Sequence, residues 1–223
     1  MTSPLMGRLV SAFESAGDPA RAPAMAAYMR DQFAFLGLSA GARRAAARDA
    51  LAGLPRPTED ELASTARACW ALREREFQQF ACDHLAAHLR TPGPGFLDVC
   101  QELITTKSWW DTVDPLATHV AGGLVRRHPA LVARMDEWSG AADMWLIRTA
   151  LLHQLHYGTA TDTDRLFGYC TRQASHPDFF IRKAIGWALR HYARTDPEAV
   201  RSFLTAQRDR LSPLSLREAA KHL

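Results

Sequence analysis

The sequence is short of lysine. Only Lys107, Lys183 and Lys221 occur in 223 residues, so nearly all of the positive charge is arginine. The formal net charge of +3 does not announce a polyanionic partner. Arginine's planar fork suits phosphate, although an arginine-rich genome gives the same composition. Cysteine is also scarce. Cys69, Cys82, Cys100 and Cys170 fit neither a zinc spacing nor a compact disulfide framework, and read as small buried apolar residues in a reducing compartment. Sustained β-branched alternation is missing, which argues against a sheet. No apolar run is long enough to span a bilayer, and residues 1–10 lack the basic and apolar regions of a secretory signal. A cytoplasmic protein with no membrane partner is expected. The absence of a glycine-rich phosphate loop and of a Gly-x-Ser-x-Gly turn excludes the commonest nucleotide-binding and serine-hydrolase signatures.

What is present is helix signal, almost throughout. A first helix is expected over 4–16. Asp18 can cap a second that reads through Met25, Tyr28 and Phe33 to Phe35, where Gly37 stops it. Ser39 caps a third to Leu51, and Thr58 with Glu61 forms a capping box. Further helices are expected over 74–89 and 96–104, and from the Trp109-Trp110 pair to Val125. Others follow over 129–138, 142–157, 164–174, 178–192 and 197–210, and from Ser215 onward. Residues 91–95 form the clearest loop. About twelve helices result, antiparallel neighbours joined by short connections.

The helices repeat. Ile147-Arg148-Thr149-Ala150, Ile181-Arg182-Lys183-Ala184 and Leu216-Arg217-Glu218-Ala219 share one pattern, with the arginines 34 and 35 residues apart. Stepping back at that period reaches Asp114, then Gln79, then Arg44. Six two-helix copies at this period describe an α-solenoid forming one domain over 1–223. Equivalent positions line up along one face of such a stack, so Arg44, Arg148, Arg182 and Arg217 predict a basic track. The alternative is that each arginine bonds the neighbouring repeat. Asp114 puts an acid where the pattern puts a base, which is unfavourable on a surface for phosphates.

Asp114 closes the central run Lys107-Ser108-Trp109-Trp110-Asp111-Thr112-Val113-Asp114. On a helix, Trp110 and Asp114 share a face one turn apart, an arrangement able to hold a cation. The alternative is a core tryptophan beside a solvated or capping acid. His84 and His88 are four apart but lack an acidic partner at a metal-motif spacing, and His153 and His156, three apart, read as helix-surface or groove residues. Arg190 and Arg194, near Trp187, read either as phosphate contacts or as a solvated helix end.

The central run, together with Trp145-Leu146-Ile147-Arg148, the segment from Lys183 through Gly186-Trp187 to Arg190, and the segment from Pro213 to Ala219, resembles the bacterial DNA alkylation repair glycosylases of the AlkD type. Tyr28-Met29-Arg30 and Phe35-Leu36-Gly37 fit the same family, and the match runs in order along almost the whole chain. The resemblance implies HEAT-like repeats whose concave face grips duplex DNA, and hydrolysis of the N-glycosidic bond of N3- and N7-alkylated purines. It also implies functional residues at Trp110, Trp187, Asp114 and Arg148.

An alkylpurine of this kind is cationic and leaves readily, so a carboxylate that stabilises positive charge on the sugar and places water is the main requirement. Asp114 suits that role. Trp110 and Trp187 would offer electron-rich faces to the cation, and Arg148 would hold a phosphate. Lys107, Arg44, Arg182, Arg190, Arg194 and Arg217 are the further expected DNA contacts. No metal or cofactor is required. The expected partner is double-stranded DNA containing alkylated purines, bound by a monomer that joins the nucleoid when on DNA. The competing reading is a non-catalytic HEAT-repeat scaffold for nucleic acid or protein.

Overall fold

The computed structural model describes residues 4–223, and over these the chain is all-α. Among the described residues the only strand-like pairing is a single bridge between Ala34 and Glu74. Among the described residues no helix is long and apolar enough to cross a membrane. The chain divides into two compact units, Met1–Phe96 and Leu97–Leu223.

The first unit holds α1 (Pro4–Ala16), α2 (Ala22–Tyr28), α3 (Ala40–Leu51), α4 (Glu59–Ala71) and α5 (Arg75–Ala87). The expected caps form: Ser39 accepts from the Ala42 amide, and Thr58 and Glu61 close a reciprocal box. α1 packs on α3, and α3 and α4 pack on α5. Phe13 stacks on Phe77 at 5.2 Å within the core. The second helix is shorter than the sequence suggests, ending at Tyr28 rather than Phe35, and Asp18 does not cap it. Arg30 and Asp31 both turn left-handed, at φ 56°, which no helix tolerates. The following backbone is instead held by the buried Glu76 carboxylate, which accepts from the amides of Leu36, Gly37 and Leu38 at 3.1, 2.9 and 3.1 Å. Tertiary hydrogen bonding overrides local helix propensity here.

The second unit is the stack that positions the site. After α6 (Phe96–Thr105) come α7 (Trp110–Pro115), a π-helical turn over Leu116–Ala121, and α8 (Gly122–Arg127) in one continuous run. Pro115 lacks the amide that would bond one turn back, and the helix widens immediately after it. α9 (Val132–Trp138), α10 (Met144–Leu152), α11 (Thr163–Arg172), α12 (Phe179–Tyr192), α13 (Pro197–Ala206) and α14 (Pro213–Ala219) complete it. α7 with its π turn packs on α10, α10 on α12, and α12 on α14, while α9, α11 and α13 lie against this inner row.

The repeat is visible in the hydrogen bonds. Tyr157 donates to the Gly122 carbonyl 35 residues back, Tyr169 to Asp136 33 back, Gln173 to the Ser139 carbonyl 34 back, and Ser215 to the Arg182 carbonyl 33 back. Side chains of one rung thus fasten the previous rung at the period read from the sequence. Two glycines allow the close approach: a Cβ at Gly122 would sit 2.1 Å from the His153 carbonyl oxygen, and one at Gly186 2.5 Å from the Glu218 Cβ.

Candidate functional site

The period places Asp114, Arg148, Arg182 and Arg217 on α7, α10, α12 and α14, the inner row of the second unit. Arg44 and Gln79 lie on α3 and α5 of the first unit. These positions are not equivalent in their surroundings. Arg148 is buried, with 5 % of its side chain exposed, and Asp114 is nearly so at 13 %. The two form a fork-to-fork pair: Nε donates to Oδ1 at 2.7 Å and Nη2 to Oδ2 at 2.8 Å. Nη1 donates to the Phe180 carbonyl at the start of α12, at 2.5 Å. One guanidinium therefore ties three successive rungs together and fixes the plane of the carboxylate.

Burial raises the Asp114 carboxyl above its ordinary value, by more than the Arg148 guanidinium lowers it, and Asp111 adds to the rise. The backbone enters this pair through an unusual corner. Lys107 is left-handed at φ 49°, Ser108 donates to the Ile104 carbonyl at 2.6 Å, and Trp109 is fully extended before α7 begins. That corner sets Trp109 and Trp110 side by side at the mouth of α7. Trp110 and Asp114 lie one turn apart on this helix, as the spacing predicts. Trp187 lies in the middle of α12, two rungs from Trp110, and both rings are partly exposed.

The sequence reading missed an aromatic cluster packed against the pair. The rings of Trp109, Trp145 and Phe180 meet at 5.1 to 6.0 Å, and the Arg148 guanidinium lies 5.9 Å from the Phe180 ring. The Nε1 of Trp109 is buried and makes no hydrogen bond. These residues recur at 36- and 35-residue intervals, so the period that located the charges also carried the signal for this cluster.

The other expected DNA contacts differ in how far they are engaged. Arg44, Lys107, Arg194 and Arg217 are exposed. Arg182 is half-buried and donates through Nε to the His176 carbonyl at 2.8 Å. Arg190 reaches Glu218 at 3.3 Å, and the same carboxylate also takes Lys183 at 3.2 Å and Lys221 at 2.8 Å. The Lys221 ammonium, with Lys183, holds Glu218 below its usual value. On α3 the buried arginine is Arg43, beside Arg44, and it pairs with Asp83 at 3.1 Å. Burial lowers the Arg43 pKa, and two of its nitrogens have no partner.

With this geometry in place, comparison with known proteins is informative. Residues 9–223 match the family model described as DNA alkylation repair enzyme. A solved structure described as a predicted DNA alkylation repair enzyme from Enterococcus faecalis is 31 % identical, with a TM-score of 0.86 over 93 % of this chain and 96 % of that one. A search of the curated proteins finds no match.

Proposed function

The chain belongs to the DNA alkylation repair enzyme family, and from that premise we propose that it is a monofunctional DNA glycosylase acting on cationic N3- and N7-alkylpurines in duplex DNA. One observation carries the reading: a buried carboxylate, oriented at both oxygens by Arg148, one turn from Trp110 and two rungs from Trp187. An N3- or N7-alkylated purine is already a good leaving group. The site has to stabilise the positive charge that passes to the deoxyribose as the N-glycosidic bond breaks. The Asp114 carboxylate does this electrostatically, in surroundings where a fixed charge acts more strongly than in water. It also orients the water that adds to the sugar. Trp110 and Trp187 offer π faces to the cationic nucleotide.

Arg148 has a more specific part than phosphate contact alone. Three of its five N–H groups are committed to Asp114 and Phe180. It holds the carboxylate in place, and two N–H groups remain for a backbone phosphate. The exposed Arg44, Lys107, Arg194 and Arg217 are the surface contacts to DNA in this account.

A scaffold reading has one observation in its favour, since the Asp114–Arg148 pair also fastens two rungs. Incubating the purified protein with alkylated duplex DNA and measuring release of N7-methylguanine and N3-methyladenine separates the two. The glycosylase releases free base and leaves abasic sites; a scaffold binds the duplex and releases none.

A further inference from the structure

Three histidines meet in a line across successive rungs of the second unit. His119, in the π-helical turn, stacks on His156 with ring centres 4.8 Å apart and planes 14° from parallel. His156, which follows α10, meets His191 of α12 edge to face at 5.6 Å. His119 and His156 are exposed and His191 is half-buried. The line runs along the elements that carry the candidate site. His119 follows Asp114 by five residues in the same continuous helical run. His191 follows Trp187 by four on α12 and so shares its face.

We propose that His119, His156 and His191 form a contact strip for the phosphate backbone of DNA, in which His156 and His191 take up a proton when DNA lies over them. This rests on the DNA-binding part of the reading above and not on the excision chemistry. The surrounding charges favour it. Burial first, and then His119, lowers the His156 pKa; burial, His156, Arg194 and Arg190 lower that of His191. No carboxylate is among these influences. Glu218 is engaged by Lys183, Arg190 and Lys221, Asp196 acts on Tyr192, and Arg126 lies 5.9 Å from the Tyr157 ring. Charging one imidazole therefore opposes charging the next, until an anion offsets the repulsion.

The sign follows. A histidine whose pKa is low in the free protein and raised in the complex takes up a proton on binding. The added affinity is fully present below the free-protein pKa and fades as pH rises through the pKa of the complex. DNA affinity should rise as pH falls from about 7.5 to about 6, by at most roughly tenfold per pH unit for each proton taken up.

The test is calorimetric titration of the full chain with a short undamaged duplex at about pH 6.5, in two buffers of different ionisation enthalpy. Wild type is expected to take up about one proton per complex. His156→Gln, at the exposed centre of the strip, should abolish most of that uptake and flatten the pH dependence while keeping the melting temperature. No uptake by wild type, or unchanged uptake in both His156→Gln and the triple glutamine variant, overturns the proposal. Excision of alkylated purine without proton uptake would sink the strip and leave the glycosylase. Uptake without excision would do the reverse.

Discussion

Two carboxylates, Asp114 and Glu218, bridge neighbouring helices of the inner row, and they are built differently. Glu218 sits between α12 and α14 and is shared by Lys183, Arg190 and Lys221, all partly exposed. Its pKa is held low by the Lys221 ammonium and by Lys183. Asp114 has one cationic partner, buried and bidentate, and lies on the rung next to the Trp109–Trp145–Phe180 cluster. Its pKa is raised because burial outweighs that partner. A carboxylate that only fastens helices is best surrounded by several solvated cations. Both carboxylates are themselves largely out of solvent, Glu218 at 8 % and Asp114 at 13 % side-chain exposure, but Asp114 is oriented at both oxygens and compensated by a single buried guanidinium, and such a pair is held at a cost in desolvation. That cost is intelligible if the carboxylate is reserved for a cation arriving from outside.

The sharpest way to break this contrast is to remove the guanidinium. Arg148→Ala leaves the Asp114 carboxylate buried without its partner, and losing one member of such a pair typically costs about 3–5 kcal/mol of stability. Denaturant unfolding should show a loss of that order; a loss under about 1 kcal/mol would mean that solvent replaces Arg148 easily. Arg148→Lys keeps the charge and loses the fork, and should fall between the two. In a variant that stays folded, a fall of about one in the slope of log affinity against log salt would add a phosphate contact to the positioning role.

Glu218→Gln is the matching change at the other carboxylate. Its partners are between about a quarter and half exposed, so solvent screens them and a loss of about 1 kcal/mol is expected. Excision should be unchanged. Because the folded pKa of Glu218 lies below the ordinary 4.5, its contribution is present above that value and is lost as pH falls through the folded one. In acid melting, the difference between wild type and Glu218→Gln should close. A difference that persists at low pH would assign the effect to packing.

The smallest effect is expected at Lys107. Its left-handed backbone costs on the order of 1 kcal/mol for a residue with a side chain, and Lys107→Gly should recover some of it. If the exposed ammonium contacts phosphate, DNA affinity should fall and the salt slope should drop by about one. Unchanged affinity would make the corner a device for placing Trp109 and Trp110 only.

The sequence made the stack legible because the same contacts recur. An arginine at one helix position, a small residue where helices approach, and side-chain caps before α10, α11, α12, α13 and α14 mark a repeat of 34 to 35 residues. That repeat points to Asp114 and Arg148, and the family resemblance points to these two with Trp110 and Trp187. What stayed hidden depended on partners distant in sequence. Phe33 to Phe35 looks helical until Glu76 draws the amides of the segment after it out of the helix pattern. The helix expected over 142–157 stops at Leu152, because the Gln154 side chain closes on both backbone groups of Asp162. The period pointed to Arg44, but the buried arginine of α3 is its neighbour Arg43, chosen by Asp83. The pairing of Arg148 with Asp114 was also hidden: spacing shows that two residues share a row, not that one closes on the other.

The central claim is that the Asp114 carboxylate acts on charge that develops at the sugar. Single-turnover excision of N7-methylguanine by Asp114→Asn tests it most directly, with melting temperature and DNA affinity measured on the same sample. The substitution keeps shape and removes charge. The account predicts a rate loss of about 10²–10³, with DNA binding held or improved as a negative charge near the phosphates is removed. It also predicts that wild-type excision declines on acidification at a higher pH than for an ordinary carboxylate near 3.8, since burial raises Asp114; the variant should lack that limb. Excision by Asp114→Asn at the wild-type rate, with the damage confined to thermal stability, would contradict the account and leave Asp114 as a fastener like Glu218.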